Sequence, residues 1–374
     1  MEKQWANAMP GAELLRVARA AGRKITAIGG GTGLSTLLLG LKEYTDNITA
    51  VVTVTDDGGG SGMLREEFGI LPPGDIRNCI LSLANTSDMM NELINYRFNT
   101  GSLKGQSFGN LFLLALCGIC GGNFEMAVAR MNEVLAVTGK VLPVTSANVK
   151  LAADFEDGSK IEGETAITRV KKQNGLSIQK VSLLPPGAKA LPQVIEAIEE
   201  ADVLLLGPGS LYTSIIPNLL VEGVAEAICR SRALKIYLLN IMTQDGETEG
   251  YTAADHIRAL QAHGGETLVD LCLYNTDPVA QKLLCRYAGE SAKQLWPDRG
   301  EFEKLGVRLK GASILSRDAE LVRHDPLRLA HAIMKTAMEE APREGVLQEY
   351  DRLMLIREKP QRHEKTKLGR PGIE

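Results

Sequence analysis

The chain has 374 residues, is 44% hydrophobic and 24% charged, and carries a formal net charge of −4 with a pI of about 5.9. That composition is ordinary for a globular protein, and it supplies no basic excess for nucleic acid or an anionic membrane. The six cysteines are scattered among apolar residues, with no second Cys pair or nearby His to complete a zinc set, and free buried thiols point to a reducing compartment.

Residues 1–22 mix acids and bases without an apolar core, so they do not read as a secretory signal. They read as an N-terminal extension with one short amphipathic helix at 12–21. Residues 25–28, Ile-Thr-Ala-Ile, form a buried strand. Gly29, Gly30, Gly31 and Gly33 follow, and then Leu34, Leu37, Leu38 and Leu41 at helical spacing. Strand, glycine turn and helix open a βαβ unit whose helix start suits a phosphate. Gly30, Gly31, Thr32 and Gly33 are therefore candidate ligand contacts.

A second strand at 49–55 ends in Asp56-Asp57 and a further glycine run, 58–62. The two loops are expected side by side at the carboxyl ends of parallel strands, where open α/β sheets bind ligands. G-x-G-x-x-G is not met, because its third position is Leu34, and the P-loop signature is absent. A generic dinucleotide enzyme or ATPase is disfavoured, and a nicotinamide dinucleotide is the weakest ligand reading. Asp56 and Asp57 are candidates for a magnesium site or a proton acceptor; the bland reading makes one of them a helix cap.

Pro73 stiffens a turn into the next helix, with Asp75 at the expected cap position and Arg77 just inside. Arg77 reads either as a surface ion pair or as an anion contact. Residues 88–137 look helical. Within them Ser107 and Asn110 flank a polar break and either cap a helix or bind hydroxyl and phosphate oxygens. Cys117 and Cys120 form C-x-x-C inside an apolar helical run and read as packing residues rather than a redox pair.

Between 149 and 167, apolar residues alternate with polar ones around Asp157-Gly158, which predicts a β-hairpin with a two-residue turn. Two strands alone are marginal, so the hairpin must pack on something, as a small cap or a homo-oligomer contact. The α/β rhythm returns with a strand at 203–206 running into Gly207-Pro208-Gly209-Ser210-Leu211, a third strand–glycine–helix junction. Gly207, Gly209, Ser210 and Leu211 join the candidate contacts. A strand at 235–239 ends at Asn240, another candidate. A strand at 268–274, a helix at 278–287, two short strands within 307–315 and a helix ending at 338 complete the pattern. Residues from about 358 onward have almost no apolar content and read as a disordered tail.

The fold expected is α/β: a Rossmann-like three-layer α/β/α domain with a mostly parallel sheet and a β-hairpin excursion. Its boundaries are an extension at 1–22, the α/β domain at 23–342 with the excursion at about 140–185, and a helix end and tail at 343–374. The longest apolar runs are too short and too interrupted by glycine to span a bilayer. A cytoplasmic protein is expected, with no membrane insertion and no nucleic-acid partner.

Nine segments carry a family resemblance: IGGGTGLS (28–35), TDDGGGSGMLR (55–65), LPPGDIRN (71–78), GQSFGNL (105–111), GKVLPV (139–144), GPGSLYTSIIPNLL (207–220), NIMTQDGET (240–248), YTAADH (251–256) and RHD (323–325). Together they resemble the YvcK family of gluconeogenesis factors, relatives of the CofD 2-phospho-L-lactate transferases. The resemblance implies a CofD-like fold and binding of UDP-sugars, notably UDP-N-acetylglucosamine. It also implies a role in cell shape during gluconeogenic growth, exerted through a cell-envelope or metabolic protein partner. It places Tyr287 and Arg323 among the nucleotide-sugar contacts, chemically apt for stacking and for gripping a diphosphate. Gln106 departs from the family, where His is common.

Two function classes compete. One is a regulatory binder that needs no cofactor. The other is a CofD-like phospholactyl transferase using Mg2+, with Asp56 and Asp57 as its acids. No histidine sits in a glycine loop, which favours binding.

Overall fold

The computed structural model describes residues 11–287, 292–317 and 321–356. The tail read as disordered and the first ten residues lie outside the described residues. Among the described residues ten strands form two sheets: β1 Ile25–Gly29, β2 Ile48–Val52, β3 Lys140–Pro143, β4 Lys150–Phe155, β5 Lys160–Glu162, β6 Ile178–Leu184, β7 Val203–Leu206, β8 Leu234–Leu238, β9 Leu271–Asn275 and β10 Arg308–Ala312.

Seven of them make one parallel sheet in the order β10-β9-β8-β7-β1-β2-β3. Every residue of β1, β7 and β8 is buried, as expected of a parallel sheet covered by helices on both faces. Ile25 pairs in register with Ile48 on one side and Val203 on the other. The chain therefore leaves β1 toward β2 and returns on its other side as β7. That reversal of strand order sets a crevice at the carboxyl ends of β1 and β7.

The excursion is not a two-stranded hairpin. β4 pairs antiparallel with β5 and also with β6, giving a three-stranded sheet. The predicted second half of the hairpin ends at Glu162, and Glu164–Asn174 is a helix. Thr165 and Ile167 mimic a period of two, but the buried pair is Ile167 and Lys171, one helical turn apart. Gly163, with φ of 92°, turns the chain from strand to helix. β2 stops three residues before its predicted end, and the expected strand pair within 307–315 is β10 plus one isolated bridge between Leu315 and His324.

The described part of the leader is the helix Gly11–Ala20, with Ala18 fully buried. Next to it Arg23, 1% exposed, donates from Nε and Nη2 to the Asp351 carboxylate at 3.1 and 2.8 Å. Arg343 holds the other Asp351 oxygen at 2.6 Å. Two guanidiniums on one buried carboxylate thus tie the start of β1 to the helix Gly345–Ile356. Cys79, Cys117 and Cys272 are buried and free, and burial raises each thiol pKa. Among the described residues, no single helix is long and apolar enough to cross a membrane.

Candidate functional site

A cavity of about 430 Å3 opens in the crevice beyond β1, β7 and β8. Two of the three glycine loops line it. Gly30, Gly31, Thr32 and Gly33 come from the first, and Gly209 and Ser210 from the third. The loops touch: a Cβ on Gly33 would come within 2.4 Å of the Pro208 carbonyl oxygen. Side chains brace the third loop from below. Asn240 Nδ2 donates to the Gly209 carbonyl at 2.9 Å, and Ser210 Oγ donates to Gln244 Oε1 at 2.8 Å. Asn218, fully buried, donates to the carbonyls of Gly29 and Ser214 and fixes the strand end between them.

Glu247 is the buried anchor of this loop. Its carboxylate accepts from Tyr212 N at 3.1 Å and from Thr213 Oγ1 at 2.6 Å. Burial pushes its pKa up to about 7, against the pull of those hydrogen bonds.

The second glycine loop does not line this cavity. Asp56 does, but its Oδ1 accepts from Gly58 N at 2.9 Å, and the chain turns away into the helix Gly59–Phe68. Asp57 points elsewhere, accepting from Thr165 N at 2.9 Å and Thr165 Oγ1 at 2.6 Å. With Gly58, Gly59 and Gly62 it lines a separate cavity. The adjacent acids are therefore not one paired site.

Asp75 takes the place expected of Asp57. Pro73, not Asp75, is the cap of the helix Gly74–Leu83. Asp75 Oδ2 instead accepts from Gly31 N at 2.7 Å, inside the cavity wall. A Cβ on Gly30 would lie 2.8 Å from that same oxygen and from Thr53 Cγ2, so a side chain there would displace one or both. Burial, and then the Asp56 charge, raise the Asp75 pKa to about 6. Glu164 enters from the excursion, and burial followed by the Asp56 charge raise its pKa well above the ordinary value. Three carboxylates thus face one cavity. Sequence reasoning missed Glu164 because the hairpin reading placed it on a strand.

Arg323 and His324 close the cavity from the far side. The turn that carries them is pinned by Ser316 N donating to the Arg323 carbonyl and Asp325 N donating to the Ile314 carbonyl, at 2.9 and 2.8 Å. His324 Nε2 is buried with no partner among the described residues, and burial lowers the ring pKa to about 4, so the ring is neutral. Its only signal in the sequence was its place in RHD.

The other predicted contacts lie off the cavity wall. Gly207 sits behind the third loop, at φ of 82°. Leu211 is fully buried in the core. Asn110 and Ser107 both bond the buried Arg77, which makes neither a surface ion pair nor a cavity contact. Ser107 also caps the helix Phe108–Ile119. Gln106 reaches back toward the Gly60 carbonyl. Tyr287 packs with Ile241, Met242 and Leu315, and its hydroxyl accepts from Val322 N at 3.1 Å, one residue from Arg323.

The carboxylates supply hard oxygen donors suited to magnesium. Among the described residues, however, no group of three or more His, Cys, Asp or Glu is arranged to hold an ion. The donor set fits an ion that arrives on a diphosphate better than a resident one, since Mg2+ is commonly held by one or two carboxylates plus ligand phosphates.

Residues 25–315 match the family described as 2-phospho-L-lactate transferase CofD. A relative from Clostridium acetobutylicum is 51% identical over 85% of this chain and 70% of its own length. A Bacillus subtilis relative named Gluconeogenesis factor is 44% identical over 83% of this chain and 97% of its own. The chain belongs to the YvcK family, on the CofD fold. Membership agrees with a solved structure from Bacillus halodurans, described as a member of the UPF0052 family. It is 42% identical, with a TM-score of 0.80, and the match covers 84% of this chain and 99% of that one. These YvcK-family matches accord with the parallel sheet and the crevice it creates.

Proposed function

We propose that this chain is a gluconeogenesis factor that binds UDP-N-acetylglucosamine in the crevice beyond β1 and β7. The observation that carries the reading is the convergence there of two glycine loops, Asn240 and Arg323 on a cavity of about 430 Å3, a size ordinary for nucleotide and drug-sized ligands. Gly30, Gly31, Gly33 and Gly209 line the space with backbone and no side chain, and Arg323 supplies a fork for phosphate oxygens.

The electrostatics qualify how the ligand binds. Asp56, Asp75 and Glu164 face the same space as one arginine. A bare diphosphate is repelled there, whereas a diphosphate carrying Mg2+ is attracted, with Asp56 to meet the ion because Asp75 is already hydrogen-bonded to Gly31 N. Occupancy would then present the Arg323 turn and the helix start behind it to a cell-envelope or metabolic partner, which is how we connect nucleotide-sugar supply with cell shape during gluconeogenic growth.

A CofD-like phospholactyl transferase is the second reading. It is favoured by a neutral His324 on the wall of a cavity that three acids also line, an acid/base set the glycine loops alone lack.

Melting the full chain with UDP-N-acetylglucosamine and Mg2+ tests the first reading. A ligand at about 100 times its dissociation constant adds roughly 2.7 kcal/mol. Arg323→Ala should weaken binding at least tenfold. Absence of a shift with any UDP-sugar, with or without Mg2+, overturns the reading. Turnover of a nucleotide-activated phospholactate that is lost in His324→Ala would replace it with the second.

A further inference from the structure

A further cavity, of about 400 Å3, opens where the edge strand β10 meets the helix Pro326–Glu340. Its chemistry is opposite to that of the glycine-loop cavity. Arg328, His331 and Lys335 line it from one face of the helix, at spacings of three and four residues. Lys310 reaches it from β10, and Arg317 from the loop that follows. Among the described residues, no carboxylate lines it.

Two acids stand at the margin. Asp277 accepts from Ser313 Oγ at 2.7 Å and lies 3.9 Å from Arg328. Glu339 pairs with Lys310 at 2.5 Å and lies 4.0 Å from Lys335. Among the described residues no carboxylate pairs with Arg317. Among the described residues, four cations and a histidine therefore line the cavity with two acids at its margin, in a chain whose net charge is −4.

Cations spread along a convex helix face are usually only a solvated surface. Here they line a concavity of ligand size, whose walls focus the field. Two guanidinium forks and two ammonium groups match the oxygens of a multiply charged phosphate. We propose that this cavity is a second anion site, for a small metabolite carrying phosphate groups. It is independent of the nucleotide-sugar reading and stands if UDP-N-acetylglucosamine does not bind.

The opposite charge of the two cavities gives the test. In EDTA, without divalent cations, inorganic pyrophosphate is repelled by the acids of the glycine-loop cavity and attracted by the basic one. Calorimetry of the full chain with pyrophosphate in EDTA should show one site, weakened by salt. The double variant Arg317→Ala/Lys335→Ala should weaken it at least tenfold, and Arg323→Ala should leave it unchanged. Arg317 and Lys335 are exposed, so the double variant should keep its fold. No binding in EDTA, or a loss in Arg323→Ala as large as that in the double variant, overturns the proposal.

Discussion

Asp56 and Asp57 are neighbours in the chain but face different cavities. Asp56 lines the crevice with the first and third glycine loops, while Asp57 is spent on the Thr165 amide and hydroxyl. Asp57 thereby acts as a cap, supplied from 108 residues away, for the helix Glu164–Asn174, whose own cap position is Gly163. One acid is available to a ligand, and the other fastens the excursion to the main sheet.

Their substitutions should separate accordingly. Asp56→Asn should weaken UDP-N-acetylglucosamine binding in Mg2+ about tenfold or more and leave stability nearly unchanged. Asp57→Ala should lower stability by about 1 kcal/mol, the usual cost of a lost cap, with affinity little altered. Calorimetry and urea unfolding on both variants check this. The opposite pattern would return Asp57 to the binding site.

Asp75 makes stability depend on pH. Its folded pKa of about 6 lies above the ordinary value of 3.8. In the window between those values the folded state holds the proton more tightly than the unfolded chain does. This group's contribution to stability therefore falls as pH rises from about 4 to 6, and its cost is complete above that range. Asp75→Asn removes the charge and keeps an acceptor for Gly31 N. The variant should equal the parent near pH 4 and be more stable at pH 7, by on the order of 2 kcal/mol. Parallel stability curves for the two proteins would contradict the assignment.

Glu247 supports the third loop from a fully buried position. Glu247→Ala leaves the Tyr212 amide and the Thr213 hydroxyl without their acceptor. Two orphaned buried donors predict a loss of about 2–4 kcal/mol. Because Ser210 and Gly209 belong to the same loop, nucleotide-sugar affinity should fall as well. Glu247→Gln, which retains one acceptor, should lose less of both. Equal affinity in Glu247→Ala and the parent would show that the loop holds its shape without this anchor.

Asp351 is the shared partner of Arg23 and Arg343 and is 3% exposed. Asp351→Ala strands two guanidiniums, one of them fully buried, and should cost about 3–5 kcal/mol. The crevice is built without Asp351, so ligand affinity at a temperature where the variant is folded should match the parent. Denaturant unfolding and calorimetry together decide it.

The excursion shows how far periodicity reaches. Within residues 150–155, Leu151, Ala153 and Phe155 recur with a period of two, and the stretch forms β4. A few residues later, Thr165 and Ile167 also alternate, yet they belong to a helix. A window of three residues cannot tell a period of 2 from one of 3.6. Gly163 and the buried Ile167–Lys171 spacing were the local marks of the change.

What the amino-acid sequence determined by itself was the alternation of buried strand, glycine turn and helix, and so a parallel α/β fold with ligand-competent turns at its strand ends. Such features are written within a few consecutive residues, because turns and periodicity are short-range consequences of backbone sterics and of which face is buried. The tertiary structure alone decided which turns share a cavity and what charge they meet there. Asp75 reaches Gly31 across 44 residues, Glu164 arrives from the excursion, and His324 arrives from beyond β10. Those meetings depend on how helices and loops pack on the sheet, and packing brings together side chains whose separation along the chain carries no local mark.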